Sequence, residues 1–94
     1  MNDAPSVEAE FEVASDLGLH ARPAGEFAAL AARYAAEVSV ARVDGPDWVS
    51  GRSVLSLLSL AASRGTRLRV RAQGADAEQA VAALGELLRR PHQA

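Results

Sequence analysis

One of the chain's two histidines, His20, follows a glycine and opens a helix-like run: Gly18-Leu19-His20-Ala21-Arg22-Pro23-Ala24. The first turn of an α-helix has backbone N–H groups without intrahelical partners and carries roughly half a positive charge, so an anion placed there gains hydrogen bonds and a favourable dipole. A histidine at the N-cap sets a nucleophilic imidazole at the mouth of such a site. Arg22 adds a guanidinium that can grip two phosphate oxygens in a planar fork. Pro23 is tolerated because first-turn N–H groups lack helical partners, and its fixed φ holds the helix start in shape. Gly18 permits the sharp approach from a preceding strand. These residues describe a surface nucleophile for phosphate. The plain structural alternative is that His20 caps a helix and that Arg22 and Pro23 are ordinary first-turn residues.

Other chemistries have less to stand on. With 94 residues and no cysteine, the chain offers neither thiolate catalysis nor disulfides, and no hydrolase triad is expected at this size. The second histidine, His92, lies in a tail expected to fray, so no metal site is expected, and no cofactor. All ten basic residues are arginine, which removes Schiff-base and lysine-base chemistry. A formal net charge of -2 gives no long-range attraction to nucleic acid. The acidic start MNDAPSVEAE lacks the basic and apolar regions of a signal peptide, and no run reaches the length of a membrane span. The expectation is a soluble cytoplasmic protein with no membrane insertion.

The elements that must position the site read as follows. Val7, Ala9, Phe11 and Val13 alternate with Glu8, Glu10 and Glu12, the period of a half-buried strand. Leu68, Val70 and Ala72 alternate with Arg67, Arg69 and Arg71 in the same way. One wet face is acidic and the other basic, which predicts that these first and last strands are antiparallel neighbours with their charges paired. Between them, Phe27, Leu30, Ala31 and Tyr34 mark a first helix in the alanine-rich run ARPAGEFAALAARYAA. Val38 to Val43 and a short stretch around Trp48 and Val49 form a hairpin across Asp44-Gly45-Pro46-Asp47. Ser53 to Ala62 is a short second helix with Ser53 as N-cap and Gly65 just past its end, and a third helix starts near Asp76 with Ala80, Val81, Leu84, Leu87 and Leu88 as its buried stripe. The order βαββαβα predicts an α+β fold with an antiparallel sheet and its helices on one face, expected as one domain over 1–94 with its core at about 6–90.

At this point the residues resemble a family, the histidine-containing phosphocarriers (HPr) of the phosphoenolpyruvate-dependent phosphotransferase system. Its signature is similar to Gly-hydrophobic-His-Ala/Thr-Arg-Pro-Ala, which Gly18 to Ala24 match throughout, and Val49 to Leu60 resemble its segment around a regulatory serine. The resemblance implies an open-faced β-sandwich, a four-stranded sheet in the order 1-4-2-3 under three helices. It also implies that His20 takes a phosphoryl group on Nδ1 from enzyme I and passes it to enzyme IIA components, as a stoichiometric carrier and not an enzyme, with Arg22 stabilising the phosphate. Ser53 occupies the position that a dedicated HPr kinase modifies in Gram-positive members. In the family the short second helix docks partners, which makes Val54, Leu55 and Leu58 candidate anchors, while spacing turns Leu57 and Leu60 inward. A monomer is expected, since a diffusing carrier shows one face to several partners.

The chain departs from the family pattern in places. Ser15 stands where many members carry Asn, Gly25 where alanine is common, Arg52 for a frequent lysine and Ser56 for a frequent glycine. Two other readings remain open at the level of sequence: a nitrogen-branch regulatory carrier sharing the His-Ala-Arg-Pro core, and a small α+β interaction module that is never phosphorylated.

Overall fold

The computed structural model describes residues 4–91, which leaves His92 outside the described residues. Seven elements follow in the expected order: β1 (Ser6–Glu12), α1 (Ala21–Ala31), β2 (Glu37–Arg42), β3 (Trp48–Ser50), α2 (Val54–Ser59), β4 (Arg67–Gln73) and α3 (Ala77–Arg89). They build a four-stranded sheet in the order β1-β4-β2-β3, antiparallel at every pairing. The two outer chain segments are thus neighbours, and the register sets Glu8 opposite Arg71, Glu10 opposite Arg69 and Glu12 opposite Arg67.

Alternation decides which side of the sheet is dry. Leu68, Val70 and Ala72 of β4 and Val38 and Val40 of β2 are buried with Ala24, Phe27 and Ala31 of α1 and with Val81, Leu84 and Leu88 of α3. Each large side chain so covered contributes about 1.5–3 kcal/mol through lost contact with water. Helix α3 lies across β1 and β4, and α1 fits between α3 and α2. The approach over β1 is close: a Cβ at Gly85 would overlap the Phe11 ring, so the helix can rest on that aromatic only without a side chain there.

Three expectations need correction. The first helix stops at Ala31, so Tyr34 lies beyond it. Asp76, forty residues on, accepts the N–H groups of Ala35 (2.9 Å) and Ala36 (2.8 Å), while the Arg52 guanidinium donates to the carbonyls of Tyr34 (2.7 Å) and Ala36 (3.1 Å). Those bonds satisfy the loop's backbone and make a longer helix unnecessary. The second helix ends at Ser59 and not at Ala62. Ala61 takes a left-handed φ of 51°, and Arg42 donates to the carbonyls of Leu60 (3.1 Å) and Ala61 (3.2 Å), so a distant arginine and not Gly65 closes the helix.

The third correction concerns charge. Arg67 pairs with Glu10 at 3.4 Å and with Glu12 at 3.8 Å, but Arg69 and Arg71 turn away from β1 and stack on Trp48. A guanidinium can exchange an exposed carboxylate for an indole face at little cost, since both contacts are worth about 1 kcal/mol or less at an exposed site.

Candidate phosphoryl site at the start of helix α1

The chain leaves β1 through Val13, whose N–H and C=O bond Thr66 and Gly65, then turns at Ser15 to Gly18, where the Gly18 N–H donates to the Ser15 carbonyl at 2.9 Å. Gly18 has φ +71°, and a Cβ there would overlap the Ala62 carbonyl oxygen and lie 2.7 Å from Ser63 Cα. Only glycine meets both conditions. The next amide, Leu19, donates to the same Ala62 carbonyl at 2.9 Å. The approach to the histidine is therefore held against the segment that follows α2.

His20 is the N-cap of α1, extended at φ −78° and ψ −175°, and its carbonyl accepts the Ala24 N–H at 2.9 Å. Its side chain makes no capping hydrogen bond. The ring is half-buried, with Nε2 covered and without a partner. Pro23 is buried in the first turn and has no N–H to offer, so the open amides of that turn are those of Ala21 and Arg22. An uncapped helix start with two amides and the end of the dipole beside an imidazole is suited to a dianionic group.

Arg22 is on the exposed side of this turn. Its guanidinium is 3.9 Å from Glu26 one helical turn on, and the arginine side chain is 75% exposed. An exposed pair of that spacing is worth about 0.3–0.5 kcal/mol, little enough to be exchanged for a phosphate. Ser15 is buried and supports the turn through its carbonyl, and its hydroxyl does not reach the unpartnered Nε2.

Ser53 caps α2 by accepting the Ser56 N–H on its side-chain oxygen at 3.1 Å. Leu57 and Leu60 are buried, whereas Val54, Leu55 and Leu58 are exposed, Leu55 at 81%. Leu17, on the turn before the histidine, is also exposed, at 58%. Sequence reasoning passed over it, although a leucine inside a polar turn with no alternation around it is itself a signal of an apolar group without a core position. Among the described residues no group of histidine, cysteine, aspartate or glutamate could hold a metal ion, and no helix is long and apolar enough to cross a membrane.

Known proteins resemble this chain in sequence and in fold. A family model described as the PTS HPr component phosphorylation site matches residues 7–90. The chain is 38% identical over 79 residues to a phosphocarrier protein HPr of Pseudomonas aeruginosa, covering 84% of this chain and 87% of that protein. It is also 38% identical over 91 residues to a multiphosphoryl transfer protein of Escherichia coli O157:H7, covering 93% of this chain but spanning only 24% of that longer relative. Among solved structures, a phosphocarrier protein HPr from Bacillus anthracis superposes with a TM-score of 0.83 at 32% identity, covering 88% of this chain and 96% of that one. With its sheet order, its helix start at His20 and these matches, the chain belongs to the HPr family of phosphocarrier proteins of the phosphotransferase system.

Proposed function

We propose that His20 accepts a phosphoryl group on Nδ1 from phosphoenolpyruvate-charged enzyme I and hands it to enzyme IIA components. The observation that carries this reading is the state of the ring: it stands at an uncapped helix start, and the nitrogen that the fold covers is Nε2. Nδ1 is then the nitrogen left for bond formation. As the new P–N bond forms, the donor's bond to phosphorus breaks, and the imidazole ends as a phosphorylated ring whose oxygens lie towards the Ala21 and Arg22 amides. Those amides lower the cost of the added charge without enclosing it, so the group stays transferable. Arg22 leaves Glu26 to take part in the same anion. Because the phosphoryl group is received and released in equal amounts, the chain acts as a carrier and not as a free-standing catalyst.

Val54, Leu55 and Leu58 form the apolar surface that partners would cover, supported by their exposure on a helix that keeps Leu57 inward. Ser53 is the candidate for regulatory modification by an HPr kinase. Its Oγ already serves as a cap, so a phosphate there would alter a bond that α2 uses. The setting consistent with these partners is the cytoplasm.

Incubation with enzyme I and phosphoenolpyruvate tests the reading. The expected product is one acid-labile phosphate per chain, absent from His20→Ala. Phosphate persisting on that variant would move the acceptor elsewhere.

A further inference from the structure

The side of the sheet that faces away from the helices carries its own arrangement. Arg71 Cζ is 4.0 Å and Arg69 Cζ 5.0 Å from the centroid of the Trp48 ring, which reaches over from β3 across the small residues Ser39 and Ala41 of β2. Among the described residues no carboxylate pairs with either arginine, and Arg69 Nε is covered without a hydrogen-bond partner. Their opposite numbers in the register, Glu10 and Glu8, are left to Arg67 or to solvent. Across β1 and β4, Arg67 answers Glu10 and Glu12, whereas Arg69 and Arg71 are gathered at Trp48 instead of at the glutamates opposite them.

We infer that Trp48, Arg69 and Arg71 form a docking site for an extended acidic segment of a protein partner, one with carboxylates at alternate positions. The spacing favours this occupant. Arg69 and Arg71 are two residues apart on a strand, about 6.5–7 Å, which is the distance between alternate side chains of any extended chain. Stacking on the indole uses the guanidinium faces, so the in-plane N–H groups other than the covered Arg69 Nε are the donors a carboxylate would meet. Tryptophan and arginine are also the residue types that most often carry binding energy at protein interfaces. Two guanidiniums gathered at one ring present two positive charges, which a segment carrying several carboxylates matches more fully than a single small anion does. The site is separate from the helix start at His20, and it does not depend on the phosphoryl chemistry proposed there.

Trp48 is the only tryptophan, so its emission reports the site directly. Titration with the peptide acetyl-Glu-Thr-Glu-Thr-Glu-Thr-Glu-amide is expected to give a saturable change that weakens as salt is raised. The double variant Arg69→Gln/Arg71→Gln should bind about tenfold more weakly, and Arg69→Lys/Arg71→Lys should recover part of the loss. If circular dichroism shows that the double glutamine variant is unfolded, Arg71→Gln alone carries the comparison. Equal responses from wild type and variants, an equal response to inorganic phosphate or to the matching lysine peptide, or no saturable change would each overturn the inference. So would concentration-dependent self-association, lost in the glutamine variant, because the occupant would then be a second copy.

Discussion

Helices α1 and α2 both start from an extended residue, His20 at φ −78°, ψ −175° and Ser53 at φ −110°, ψ 115°, yet they treat their open amides in opposite ways. Ser53 folds its hydroxyl back onto the Ser56 N–H and closes the start of a six-residue helix that has little else to hold it. His20 makes no such bond, and the first turn of the eleven-residue α1 stays open. The longer helix can leave its start unsatisfied because Ala24, Phe27, Ala28 and Ala31 bury a continuous face in the core. The difference teaches that a helix start becomes available to a ligand where tertiary packing, not capping, supplies the stability. A third start makes the same point, since Asp76 at the head of α3 makes no side-chain cap bond and spends its carboxylate on Ala35 and Ala36.

The largest effect should come from the approach to the open start. Gly18→Ala combines a left-handed φ with overlap on the Ala62 carbonyl, so urea unfolding should show a loss of about 2–4 kcal/mol. The two caps then separate: Ser53→Ala should cost about 1 kcal/mol, while His20→Ala, with no cap bond to lose, should change stability by less than about 0.5 kcal/mol. Equal losses in the two variants would break the comparison. Within α1, a Cβ at Gly25 meets nothing within 4 Å, so Gly25→Ala should stabilise by about 0.5–1 kcal/mol.

A smaller and pH-dependent effect belongs to the third start. The Ala35 N–H, then that of Ala36, holds the Asp76 carboxyl below its ordinary value of 3.8, with Arg52 acting in the same direction. A carboxylate depressed in the folded state stabilises it above the unfolded pKa, and that contribution is lost as pH falls through the folded value. Thermal melts of Asp76→Asn should therefore differ from wild type above about pH 4 and converge with it in stronger acid. A difference that persists unchanged in strong acid would assign the effect to shape and not to charge.

Much of this was legible in the chain itself. The Glu8-Glu10-Glu12 and Arg67-Arg69-Arg71 alternations identified neighbouring strands, because period-two burial and cross-strand charge both act locally, and Gly18 to Ala24 marked the helix start. Where reasoning stopped short, the deciding bond came from far away in the sequence. Arg42 ends α2 at Leu60 and Ala61, and Asp76 and Arg52 fix the loop after Ala31. Nor does alternation say whether Arg69 and Arg71 choose a carboxylate or an indole, since the two contacts are close in energy and Trp48 arrives through β3. The Arg22–Glu26 pair, by contrast, sits at a helical spacing that the sequence displays.

The most direct measurement of the central claim is the position of the phosphorus on the His20 ring, read by long-range nitrogen–proton and nitrogen–phosphorus NMR couplings after transfer from enzyme I. With Nε2 covered by the fold and the α1 amides open, the account predicts a bond at Nδ1. A phosphoryl group on Nε2, or a His20 ring left unmodified while phosphate appears elsewhere, would contradict it.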